Sequence, residues 1–131
     1  MNIGLIIVDH GSRSGESNEL LHAAANRFVR KYAREYPIVE AAHMELAEPT
    51  IAQAYARCVE RGAQHIVVCP YFLGPGKHWR TDIPRLAADA AVQFPLTTHA
   101  IAAPLGIDDL ILQLLDKRVQ EVLPVSTAHA G

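Results

Sequence analysis

The sequence predicts an α/β fold: a four-stranded parallel sheet with helices on both faces. Three observations lead there. The run IGLIIV at residues 3–8 is short, continuous and rich in β-branched side chains, which suits a strand buried on both faces of a parallel sheet. Apolar segments of strand length then alternate with amphipathic segments of helix length, four times along the chain, and such alternation implies parallel strands joined by right-handed helical crossovers. Finally, 131 residues, half of them hydrophobic, suffice for one domain around one core. A single domain at 1–124 and a flexible tail at 125–131 are expected.

The elements follow in order. After the first strand, DHGSRSG at 9–15 is polar, and an amphipathic stretch runs over about 16–36, with Leu20, Leu21, Ala24, Phe28, Val29 and Tyr32 at helical spacing. Pro37 closes it. IVEAAHMEL at 38–46 reads as the second strand, and its extra polar residues place it at an edge. Glu48 and Pro49 open a second helix, with proline in its first turn, an apolar stripe of Ile51, Ala54, Tyr55, Cys58 and Val59, and Gly62 past its end. HIVVCPYF at 65–72 is a third strand, followed by the turn-rich loop LGPGKHW at 73–79. Thr81 and Asp82 are capping candidates for a helix reaching about Phe94. Residues 96–102 form a fourth strand, and a last helix carries Ile107, Leu110, Ile111, Leu114, Leu115, Val119 and Val122.

Composition removes several function classes. The net charge of -2 offers no field for nucleic acid or an anionic membrane. No apolar run approaches the length of a spanning helix, about 20 residues. The two cysteines, Cys58 and Cys69, fit no zinc or redox spacing and read as free thiols in a reducing cytoplasm. The first residues have no basic region, so no signal peptide is expected.

All strands of a parallel sheet end on one edge, where ligands bind in the crevice at a topological switch point. The loops after strands one, two and three carry His10 to Arg13, then Glu45 and Glu48, then Lys77 to Arg80. His10 lies just past an apolar strand, and His78 lies in a glycine-rich loop on the same edge. Imidazole suits a borderline divalent metal. Two histidines with a carboxylate such as Glu45 would leave coordination positions open, as a catalytic or transfer site requires; Glu48 and His43 are alternatives for the third position. Arg13, Lys77 and Arg80 flank these histidines and are suited to carboxylates or phosphates, though a solvated face explains them equally well. Trp79 could stack on a flat ring, although such a residue more often belongs to a core.

Other motifs fail. GPGKH at 74–78 lacks the first glycine and the Ser/Thr of a phosphate-binding loop. GSRSG at 11–15 has Arg13 where a nucleophile elbow needs serine. His22, His65, His99 and His129 read as structural or solvated.

Taken together, VDHGSR (8–13), AHMELAEPTI (42–51), PYFLGPGKHWRTDIP (70–84) and APLG (103–106) resemble the short sirohydrochlorin chelatases, class II chelatases, especially the plant and cyanobacterial sirohydrochlorin ferrochelatases. The resemblance covers nearly the whole chain, in order and with matching spacing. It implies a chelatase-like three-layer sandwich, metal binding by His10 and His78, and a supporting catalytic carboxylate at Glu45. Ser12, Arg13, Lys77, Trp79 and Arg80 become substrate-binding candidates. No permanently bound cofactor is implied; the metal (ferrous iron, cobalt or nickel) is a substrate inserted into a carboxylate-rich tetrapyrrole, for sirohaem or cobalamin. A homodimer is implied, and the tail lacks the cysteines of an iron–sulfur cluster. The rival readings are a non-catalytic metal or tetrapyrrole carrier and a regulatory α/β domain with incidental histidines.

Overall fold

The computed structural model describes residues 1–74, 76 and 78–124, with 78 and 79 described along the backbone. Lys77 and the expected tail at 125–131 lie outside the described residues. Strands β1 (Ile3–Asp9), β2 (Ile38–His43), β3 (His65–Pro70) and β4 (Thr98–Ile101) are joined by helices α1 (Gly15–Tyr32), α2 (Ile51–Glu60) and α3 (Ile83–Ala91), and α4 (Asp109–Val122) follows β4. All pairings are parallel, in the order β2-β1-β3-β4. The most apolar run is thus a central strand, and the mixed β2 lies at an edge, as its composition predicts.

Alternate side chains of β1 feed two cores. Ile6 and Val8 join Tyr55, Cys58, Ile66, Val68 and Ile83 beneath α2 and α3, while Leu5 and Ile7 join Leu21, Ala25 and Val39 beneath α1. Leu20, expected on the buried stripe of α1, instead faces outward. Cys58 is buried and Cys69 half-buried, both as free thiols. Burial pushes the Cys58 thiol up to about 12 and the Cys69 thiol up to about 11, so neither presents a reactive thiolate near neutral pH.

Several elements are shorter than the sequence reading, with β2 ending at His43, β4 spanning Thr98–Ile101 and α1 ending at Tyr32, and three further departures have a local reason. Pro49 precedes α2 and takes no part in its first turn. Thr50 caps that helix, with Gln53 N–H donating to Thr50 Oγ1 (3.1 Å) and Thr50 N–H donating to Gln53 Oε1 (2.8 Å), a reciprocal arrangement that proline has no N–H to make. Asp82 stands at the N-cap position of α3 but makes no side-chain capping bond there. A π-helical turn, His78–Asp82, runs directly into α3, and a helix continued from a preceding turn leaves few N–H groups to cap. The last helix also forms, capped where Asp108 accepts from Leu110 N–H (2.9 Å), yet α4 has no buried residue. Its apolar stripe is open: Leu110 is 72% exposed, Leu115 62% and Val122 80%.

Candidate active site

The site forms where β1 runs out of sheet. Beyond Asp9 the chain turns through His10, Gly11, Ser12 and Arg13 before Ser14 caps α1 by accepting from Ser17 N–H (3.4 Å). Asn18 holds this turn from inside the helix: Ser12 N–H donates to Asn18 Oδ1 (3.0 Å), and Asn18 Nδ2 donates to the Ser12 carbonyl (2.8 Å). The Ser12 hydroxyl accepts from Ser14 N–H (3.0 Å), so the candidate substrate contact Ser12 also builds the turn. Arg13 is exposed beside it.

Parallel pairing persists past the end of β2. Met44 N–H donates to the Asp9 carbonyl (2.9 Å), and Glu45 N–H to the His10 carbonyl (3.2 Å). Glu45 therefore lies in backbone register with His10, and its side chain is exposed. Glu48 has other work: its carboxylate accepts from Gln53 Nε2 (3.1 Å) at the start of α2. Between these two carboxylates, the structure sets Glu45 nearer the His10 turn.

The loop after β3 reaches the same place. Tyr71 N–H donates to the Val8 carbonyl (2.7 Å), and Phe72 stacks on the His10 ring, centroids 4.3 Å apart and planes 22° from parallel. Such a stack contributes about 0.5–1.5 kcal/mol and limits where the imidazole points. Phe72, which on sequence grounds reads as core, thus serves both the core and the histidine. The backbone carries His78, Trp79 and Arg80 in the π-helical turn after this loop. Turns of this kind occur frequently at functional sites, and Arg80 is exposed there. Farther along the edge, a hollow of about 720 Å³ is lined by Leu73, Gly74, Ala103, Pro104, Ile107 and Ile111. It is almost wholly apolar, and it includes part of the APLG segment.

Sequence reasoning missed two features. Asn18, in the first turn of α1, carried no motif signal. The second is a buried polar chain behind the turn. His43 is fully buried; its Nδ1 lies 2.6 Å from Asp9 Oδ1, and its Nε2 lies 3.3 Å from Nε2 of His22. His43 accordingly sits beneath the crevice as support, and His22, read as structural or solvated, is its partner. The other histidines keep ordinary roles: His65 pairs with Thr98 (2.6 Å), and His99 meets the Tyr55 ring edge-on. His129 lies outside the described residues. Among the described residues, no group of three or more His, Cys, Asp or Glu side chains is placed to hold a metal ion.

Comparison with known proteins agrees with this fold. Residues 4–122 match the CbiX family. The chain is 52% identical to the sirohydrochlorin ferrochelatase, chloroplastic, of Arabidopsis thaliana over 92% of its own length and 52% of that protein's. It is 33% identical to the sirohydrochlorin cobaltochelatase of Sulfolobus acidocaldarius over 94% of each chain. Among solved structures, SirB from Bacillus subtilis with Fe3+ superposes with a TM-score of 0.83 at 30% identity, over 95% of this chain and 49% of SirB. The chain therefore spans about half the length of the Arabidopsis protein and of SirB, and nearly all of the Sulfolobus one. With residues 4–122 matched by the family model, the chain belongs to the CbiX family.

Proposed function

We propose that the protein is a sirohydrochlorin chelatase that inserts a divalent metal, ferrous iron or cobalt, into sirohydrochlorin for sirohaem or cobalamin synthesis. The observation that supports this reading is the meeting of two distant segments at His10, the Glu45 backbone on one side and the Phe72 ring on the other, with the His78 turn following Phe72 in the chain. Insertion breaks two pyrrole N–H bonds and forms metal–nitrogen bonds, so two protons must leave as the ion enters. In this reading His10 and His78 hold the ion on one face of the macrocycle with positions open to the ring. A neutral imidazole or the Glu45 carboxylate accepts a released proton. Arg13, Lys77 and Arg80 engage the substrate's carboxylates, with Ser12 and Trp79 as further contacts. The apolar hollow beyond Leu73 offers the flat ring a dry face. The metal is a substrate, and no resident cofactor is invoked.

The decisive experiment mixes protein, sirohydrochlorin and each of Fe2+, Co2+ and Ni2+ anaerobically while absorption follows the metallated product. Multiple turnovers with at least one ion are expected. Stoichiometric spectral change without turnover would identify a carrier instead, and no interaction with ion or ring would favour an α/β domain with incidental histidines.

The same proposal includes a homodimer. The open face of α4 supports it, because an apolar stripe along an entire helix is costly to leave in water. Replacing Leu115 and Val119 together by glutamate is expected to convert a sedimenting dimer into a monomer. A wild-type protein that sediments as a monomer at micromolar concentration would remove the dimer from the proposal. No helix among the described residues is long and apolar enough to cross a membrane, and the two free thiols suit a reducing, aqueous compartment such as the cytoplasm. No membrane or nucleic-acid partner is proposed.

A further inference from the structure

The chain Asp9–His43–His22 is more elaborate than packing requires. His43 has no exposed surface, and a buried imidazole must find partners at both nitrogens. Asp9 lies 2.6 Å from Nδ1, a short contact typical of a carboxylate accepting from a ring N–H. At the other nitrogen, His43 Nε2 and His22 Nε2 lie 3.3 Å apart and share one hydrogen bond. The same oxygen, Asp9 Oδ1, accepts a second bond from Gly11 N–H (3.0 Å). The peptide following His10 is thus held by a carboxylate that His43 holds in turn. On its other side the peptide has no slack: a Cβ on Gly11 would come within 1.9 Å of the Glu45 carbonyl oxygen. Glu45 N–H meanwhile donates to the His10 carbonyl. One side chain from β2, braced by one from α1, therefore sets where His10 lies relative to Glu45.

We infer that His43 and His22 are positioning residues for metal capture: acting through Asp9, they hold the His10 turn in register with Glu45, so that His10 takes the ion beside the Glu45 carboxylate. The inference rests on the reading of His10 as a metal-binding residue and Glu45 as its catalytic neighbour. Carboxylate–imidazole chains that orient ligands at metal sites change affinity or activity 10- to 100-fold when broken, on the order of what is expected here. A purely packing role predicts a different pattern: lower stability, with the activity of each folded molecule unchanged.

The test uses the full chain with Co2+ and sirohydrochlorin. It measures KM for the ion and for the tetrapyrrole separately, together with Co2+ binding to the tetrapyrrole-free protein by visible absorption. His43→Leu fills the site and removes both hydrogen bonds. It should raise the KM and Kd for Co2+ by about 10- to 100-fold while the tetrapyrrole KM stays within about twofold. His43→Asn places an amide N–H near the position of Nδ1 and should recover most of the loss. Wild-type Co2+ parameters in His43→Leu, no recovery in His43→Asn, or a loss confined to the tetrapyrrole KM would each overturn the inference. Should His43→Leu fail to fold, the near-isosteric Asp9→Asn carries the test: it weakens the grip on His43 and should raise the Co2+ KM, whereas an unchanged value overturns the inference. His10→Ala separates the two levels. If it inserts cobalt normally, the chelation site itself is misplaced and the relay falls with it; if it is inactive while His43→Leu behaves as wild type, the relay alone falls.

Discussion

His10→Ala is expected to lower metal insertion by at least about a hundredfold, in the range measured for a lost proton acceptor, while the protein stays folded. Both halves follow from placement. His10 is exposed at the end of β1, so alanine opens no cavity in either core. The folded state loses the stack on Phe72, about 0.5–1.5 kcal/mol, which a thermal melt would register as a shift of a few degrees. The reaction loses a group that can hold the ion and also take a proton, and no other histidine described at this edge is exposed beside the turn. Product absorbance under saturating metal and tetrapyrrole is the measurement. Turnover equal to wild type would show that the His10 turn is not where insertion takes place.

Gly11→Ala is expected to be the most damaging small substitution in the chain, destabilising it by about 3 kcal/mol or more and abolishing insertion in whatever fraction still folds. Gly11 has φ +89°, a left-handed conformation that costs a residue with a Cβ about 1–2 kcal/mol. The added methyl would also lie 1.9 Å from the Glu45 carbonyl oxygen and 3.2 Å from Cβ of His43. Both neighbours belong to the backbone register between β1 and β2, so neither can swing aside. Gly62→Ala is the internal control. Gly62 has φ +100°, yet its nearest atom is the flexible Asn2 Nδ2 at 4.0 Å, so only the conformational cost applies. Chemical denaturation of both variants separates the two contributions. Equal midpoints would mean that the His10 turn can relax away from Glu45, which would also weaken the case for a rigidly registered site.

Much of the candidate site was legible along the chain because parallel topology does the gathering. Once IGLIIV reads as a central strand and the later apolar runs as its parallel neighbours, the residues just past each strand must share one edge. His10 and Glu45 could be paired on that basis, and the structure brings their backbones into register. That the Glu48 carboxylate is engaged by Gln53 was not legible, because that hydrogen bond forms only once α2 has capped itself. The role of His43 was hidden for a related reason. Its spacing of two residues from Glu45 could be read, but its partner Asp9 is its register mate on β1, and register between strands far apart in sequence is set by the packing of the whole sheet.

The sequence by itself determined the class of fold, the order of its elements and the edge position of the second strand, and it pointed to the sheet edge that holds the candidate site. Each of these depends on periodicity over a few residues or on the rules of parallel connection, and both are local properties. Tertiary structure decided which polar groups are satisfied by which: Asn18 with Ser12, Phe72 with His10, Asp9 with His43 and His22. It also decided that α4, although amphipathic by pattern, lies with its stripe uncovered. A helical repeat states that an apolar face exists, whereas what covers that face is fixed by surfaces distant in sequence, or by another chain.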